Sequence, residues 1–141
     1  GTDIRVAVAE AKFGVQEVKW AIFPAGGSTV RLPMQMPYAK AMELLLTGDL
    51  NTADEALQLG FLNYVTPDPV AKAREIAQKI AANGPLAVRA IRRSAKACLG
   101  LPEAEGLKVE IEISTPVFQT EDAKEGPRAF MEKRKPVYHG Q

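Results

Sequence analysis

Histidine and cysteine each occur once in these 141 residues, as His139 and Cys98. A lone cysteine forms no internal disulfide, which fits a reducing compartment. With one histidine in a tail and one cysteine on a helical seam, neither a zinc site nor a Cys–His nucleophile pair can be assembled, so no metal is expected. No apolar run approaches the ~20 residues that a spanning helix needs, and a soluble protein is the expectation. Neither sign of charge dominates. The formal net charge is +1, which predicts binding to neither nucleic acid nor a membrane surface. Internal repeats, low-complexity segments and an initiator methionine are missing as well.

What is present describes a globular chain, 46% hydrophobic and 25% charged, long enough for one domain and too short for two of ordinary size. Residues 4–9 alternate weakly and suit a strand buried on at least one face. Residues 13–20 read as a short strand and turn. Gly26, Gly27 and Ser28 precede a short helix that Pro33 should stop. Pro37 opens a helix over 39–46, and Gly48 closes it in the left-handed position. Thr52 and Glu55 form a capping box for a helix of about two turns, ended by Gly60. Residues 61–66 read as a strand bounded by Pro67 and Pro69.

Beyond that point the pattern is helical. Val70, Ala73, Ile76 and Ile80 recur at helical spacing, and Gly84 and Pro85 separate this helix from the next. There, Ala87, Ile91, Ala95 and Cys98 form one seam. A third helix starts at Pro102 and should kink or break at Pro116. The last has Thr120 as N-cap, Glu121 and Asp122 in its first turn, and Lys133 and Arg134 in its last.

The richest stretch runs from Phe13 to Leu32. It sets Glu17 among apolar residues, closes with Pro24 and a glycine pair, and opens a helix. Walled by Phe13, Val15, Trp20 and Phe23, the Glu17 carboxyl would lose hydration, and its pKa would rise toward neutrality. The plain alternative is a surface carboxylate paired with Lys12 or Lys19. Ala25-Gly26-Gly27-Ser28 lacks the Lys-Ser/Thr of a phosphate loop and reads first as a tight turn that lets backbone N–H groups approach a ligand.

Phe13-Gly14, Glu17, Phe23-Pro24, Ala25-Gly26-Gly27, Thr29 and Arg31-Leu32 together resemble the second half of the active-site signature of the crotonase family. These are the enoyl-CoA hydratases and isomerases. A second block from Glu121 to Pro136, with Gly126, Phe130, Glu132, Lys133 and Arg134, resembles that family's C-terminal signature. The likeness covers essentially the whole chain, yet family members are about twice as long. It therefore implies an α/β fold that is the C-terminal half of a ββα spiral: residues 1–66 from the sheet and helix core, and 67–141 a helical oligomerisation module.

The resemblance also implies the chemistry. Glu17 would move a proton at the carbon next to a thioester carbonyl. Trp20, Pro24, Ala25 and Gly26 would contact substrate, and many hydratases carry Gly where Ala25 stands. Phe130 would pack near the adenine or pantetheine arm of coenzyme A, and Lys133 would meet its phosphates. No cofactor is implied, since acyl-CoA is the substrate. Partners would be further copies, as a trimer or dimer of trimers, and the N-terminal half, with its two oxyanion donors and second glutamate. Any targeting segment would lie in that half, and a cytoplasmic location is expected. Hydration of a trans-2-enoyl-CoA is the leading reading; double-bond isomerisation and a non-catalytic subunit stay open. Phe23 reads as core, whereas Trp20 fits core and acyl pocket equally. Arg89, Arg92, Arg93 and Lys96 form a basic stripe best read as a solvated face, because no aromatic residues interleave with it.

Overall fold

The computed structural model describes residues 2–141. It divides into two compact units, one ending at Glu75 and the other spanning Ile76–Gln141.

In the first unit, β1 (Val6–Ala7) pairs in parallel with β4 (Tyr64–Val65), and β2 (Lys12–Phe13) pairs antiparallel with β3 (Asn51–Thr52). The strands expected over 4–9 and 61–66 are thus two residues long each. Their ends are tied by single bonds: Asn63 N–H donates to Arg5 O, Thr66 N–H to Ala7 O, and Arg5 N–H to Asn63 Oδ1, each at 2.9 Å. A strand lasts only as far as a partner pairs with it, which apolar alternation cannot reveal.

Between the strands lie α1 (Ser28–Gln35), α2 (Tyr38–Thr47) and α3 (Ala53–Gln58). Pro33 sits inside α1 instead of ending it. The helix stops two residues later, so the missing N–H costs a single bond. Gly48 closes α2 at φ 68°, and Thr52 with Glu55 forms the capping box of α3, Thr52 Oγ1 accepting from Glu55 N–H at 3.2 Å. Ala53, Ala56 and Leu62 are buried against Ala7, Ala11, Phe13, Phe61 and Val65. Ala41, Leu44 and Leu45 bury one face of α2.

Helix α4 (Pro69–Ala81) runs across residue 75. The second unit holds α5 (Pro85–Ala97), α6 (Glu103–Phe118) and α7 (Glu121–Met131). Pro116 lies inside α6 and does not break it before its end at Phe118. Thr115 Oγ1 and Ser114 Oγ both donate to Ile111 O, at 2.7 and 3.4 Å. Such hydroxyl bonds to the preceding turn compete with the helical ladder. Thr120 caps α7, accepting from Ala123 N–H at 3.1 Å.

Lys133 and Arg134 lie past the end of α7, not in its last turn. Arg134 N–H donates to Ala129 O at 3.0 Å and Lys133 N–H to Phe130 O at 3.1 Å, with Lys133 at φ 54°. These are the two bonds of a Schellman closure, in which a lysine occupies the place that glycine usually takes. Among the described residues, no helix is long and apolar enough to cross a membrane.

Candidate active site

Glu17 heads a one-turn 3-10 helix, Glu17–Trp20, and the strand expected from Phe13 onward ends at that residue, with β2. The turn closes through Ala21 N–H on Val18 O at 3.1 Å and Ile22 N–H on Glu17 O at 3.0 Å, with Ala21 in the left-handed region at φ 54°. Glu17 is exposed. The expected apolar wall does not form within this chain: Trp20 is 76% and Phe23 69% exposed. Trp20 belongs to a turn that is only four residues long and buries none of its own side chains, and Phe23 lies in the segment that follows it. The reading of Phe23 as core is corrected accordingly. Lys19 does pair with a carboxylate, but it is Asp49 at 2.9 Å and not Glu17.

Pro24 is buried, and Ala25 N–H donates to Phe23 O at 2.9 Å across it, a three-residue turn that redirects the chain toward α1. Ala25 and Gly26 are exposed. Gly27 caps α1 at φ 94°, and a Cβ there would come within 3.0 Å of Arg31 Nη1, which folds back to donate to Gly26 O at 3.2 Å. The glycine therefore serves both the turn and the arginine.

A cavity of about 370 Å³ opens beside this loop, with Phe13, Val15, Gly26, Gly27 and Ser28 in its wall. Of the candidate site residues, Gly26 reaches it, while Glu17, Trp20, Pro24 and Ala25 do not. Its charged lining is cationic, from Arg5, Lys12 and Arg31. Arg5 donates Nε to Phe61 O and Nη1 to Gln35 Oε1 at 2.8 Å, and its guanidinium lies 4.1 Å from the centre of the Phe61 ring. Sequence reasoning passed over Arg5. An arginine inside an otherwise apolar strand run was the only available signal.

Phe130 and Lys133 belong to the second unit. Phe130 is 82% exposed, and the Lys133 turn is pinned by its neighbour. Arg134 grips Glu125 through both carboxylate oxygens, Nη2 to Oε2 at 2.8 Å, and Glu125 Oε1 also accepts from Val137 N–H at 3.0 Å. The Arg134 guanidinium first, and the Val137 N–H second, hold the Glu125 carboxyl down at about 2.

The enoyl-CoA hydratase/isomerase family model matches residues 1–141. The chain belongs to this family, the crotonases. It is 54% identical over 140 residues to the enoyl-CoA hydratase EchA19 of Mycobacterium tuberculosis, a match covering 98% of this chain and 53% of that protein. It is 39% identical to the (E)-benzylidenesuccinyl-CoA hydratase of Thauera aromatica, over 98% of this chain and 55% of that one. Among solved structures, the enoyl-CoA hydratase EchA1 of Mycobacterium marinum is similar at a TM-score of 0.94 and 42% identity, over 99% of this chain and 56% of the other. The crotonase chain described here thus spans about half the length of the curated relatives it matches. Its few strands and many helices are an α/β portion of the crotonase fold.

Proposed function

We propose that the complete protein is an enoyl-CoA hydratase that adds water reversibly, with syn geometry, to a trans-2-enoyl-CoA. The observation that carries this reading is Glu17. It is an exposed carboxyl at the head of a fixed turn, in a chain 54% identical to a protein named enoyl-CoA hydratase. Two backbone donors outside these residues would hold the thioester oxygen as it gains negative charge. A second glutamate, also outside them, would take a proton from water as the water oxygen bonds to C3. Glu17 would give its proton to C2, where the electron pair of the former double bond arrives. No step calls for a cofactor.

Trp20 and Phe23, open in this chain, are suited to meet the acyl chain, which would then supply the dry surroundings that Glu17 lacks here. Pro24, Ala25 and Gly26 shape the adjoining turn. In the second unit, Phe130 would meet the adenine or pantetheine arm and Lys133 the phosphates, as a point charge. Assembly as a trimer or dimer of trimers and a cytoplasmic location complete the proposal.

The test is Glu17→Gln in the complete protein. Turnover should fall ~10²–10⁴-fold with acyl-CoA binding nearly intact, because the amide keeps the shape and loses the proton. Exchange of the substrate's C2 proton, followed by NMR in heavy water, reports the proton step separately. Wild-type exchange in the Gln variant would remove Glu17 from the mechanism. Migration of the double bond without water addition would favour the isomerase reading, and no exchange in the wild type would favour a non-catalytic subunit.

A further inference from the structure

The chain that follows α2 meets the segment around Glu17 at three points, two of them on the Glu17 turn. Gly48 sits at φ 68°, and a Cβ placed on it would lie 3.0 Å from both Val18 Cγ1 and Lys19 Cγ. Next to it, Asp49 Oδ1 accepts from Lys19 Nζ at 2.9 Å. The bond from Lys19 holds the Asp49 carboxyl below the usual carboxylate range. On the other side of Glu17, a Cβ on Gly14 would meet Leu50 Cδ2 at 2.7 Å and Asp49 O at 2.8 Å, so only glycine admits this approach. The three contacts bracket Glu17 in sequence and leave its side chain exposed. They tie the turn to α2, whose Ala41, Leu44 and Leu45 are buried. An ion pair between exposed side chains adds little to stability. The use of Lys19–Asp49 is therefore geometric.

We propose that Gly48 and Asp49 are positioning residues for the proton transfer assigned to Glu17: they fix the 3-10 turn, and through it the direction of the carboxyl. The inference rests on the reading of Glu17 as proton donor. A misplacement on the order of 1 Å in such a group costs about 10²-fold in rate. The contacts of Gly48 reach the two residues next in line after Glu17, close enough for a displaced turn to move the carboxyl.

The molecule supplies its own control. Gly60 has φ 73°, nearly that of Gly48, but a Cβ there would touch nothing within 4 Å. Alanine meets the same left-handed strain at both positions and crowds the Glu17 turn at one. Turnover, KM for a trans-2-enoyl-CoA and the thermal midpoint are measured on the complete protein for both variants. Gly48→Ala should lose about 10- to 100-fold in kcat with KM within about two-fold, while Gly60→Ala keeps its kcat within about two-fold despite a lowered midpoint. Asp49→Asn, which keeps the shape and removes the charge, should lower kcat about three- to ten-fold with an unchanged midpoint. It carries the test if Gly48→Ala does not fold. Equal kcat losses in the two glycine variants, or wild-type kcat in Asp49→Asn, would overturn the inference. Wild-type turnover in Glu17→Gln would instead overturn the reading on which it rests.

Discussion

Ala21 and Lys133 are the two non-glycine residues at positive φ among the described residues, both at φ 54°. One closes the turn that carries Glu17, and the other is the residue assigned to the coenzyme A phosphates. Left-handed backbone costs a residue with a Cβ about 1–2 kcal/mol, and such strain gathers where function fixes the chain. Ala21→Gly should therefore raise stability by roughly 0.5–1 kcal/mol, the relief of strain less the extra freedom that glycine has when unfolded. Urea unfolding of the complete protein measures it, and a loss of stability would show that Ala21 is held by something other than its backbone bonds. Lys133→Gly should stabilise for the same reason and at the same time raise KM for an acyl-CoA. KM for the matching acyl-pantetheine, which lacks the nucleotide phosphates, should not change. If the two substrates respond alike, Lys133 does not meet phosphate.

The helices owe their ends to individual side chains. Thr52→Ala removes the oxygen that accepts from Glu55 N–H and should cost about 1 kcal/mol, read from chemical unfolding of the complete protein. The stretch after α7 depends on Glu125, which binds both the Arg134 guanidinium and the Val137 N–H. Its carboxyl lies at about 2 in the folded chain against an ordinary 4.5. The folded value is depressed, so the stabilisation is fully present above 4.5 and is lost as pH falls through about 2. A side-chain NMR titration should place the Glu125 midpoint near 2, and Arg134→Met should move it toward 4.5. An unmoved midpoint would mean that the guanidinium is not its cause. Asp122 performs a related task nearby: buried to 7% exposure, it accepts from His139 N–H and Gly140 N–H, each at 2.8 Å.

For the molecule as a whole, the burial is thin. Among the described residues, the buried apolar ones are small or aliphatic, and no large side chain is fully buried. Trp20, Phe23, Ile91, Phe118, Phe130 and Met131 are among the large apolar side chains left open. The seam of α5 faces an open apolar groove shared with α6, where Cys98 and Phe118 line opposite helices. So much exposed apolar surface is far more than a free monomer normally carries. Residues 1–141 alone should therefore bind an apolar dye strongly and unfold without a sharp transition. A monomeric 15.3 kDa species with cooperative unfolding would refute this. The complete protein should scatter light as a trimer or a dimer of trimers across micromolar concentrations. A monomer there would leave the α5–α6 groove without its expected cover.

Local chemistry was legible in the residues themselves. The capping box at Thr52, the cap at Thr120, the closing Gly48 and the break at Gly84–Pro85 each depend on groups within four residues of one another, and all four stand in the structure. The Glu17 block and the Glu121–Pro136 block carried the family for the same reason, since motifs are written in contiguous sequence. Tertiary structure alone decided the rest. The length of β1 depends on β4, a partner 58 residues away through Asn63 and Arg5. The exposure of Trp20 and Phe23 depends on what the remainder of the fold places over them, and periodicity carries no record of that. The cationic lining from Arg5, Lys12 and Arg31 and the grip of Gly48 and Asp49 on the Glu17 turn join segments that are distant in sequence. Hydrogen-bond caps act over one helical turn, whereas burial and approach distances are properties of the packed chain.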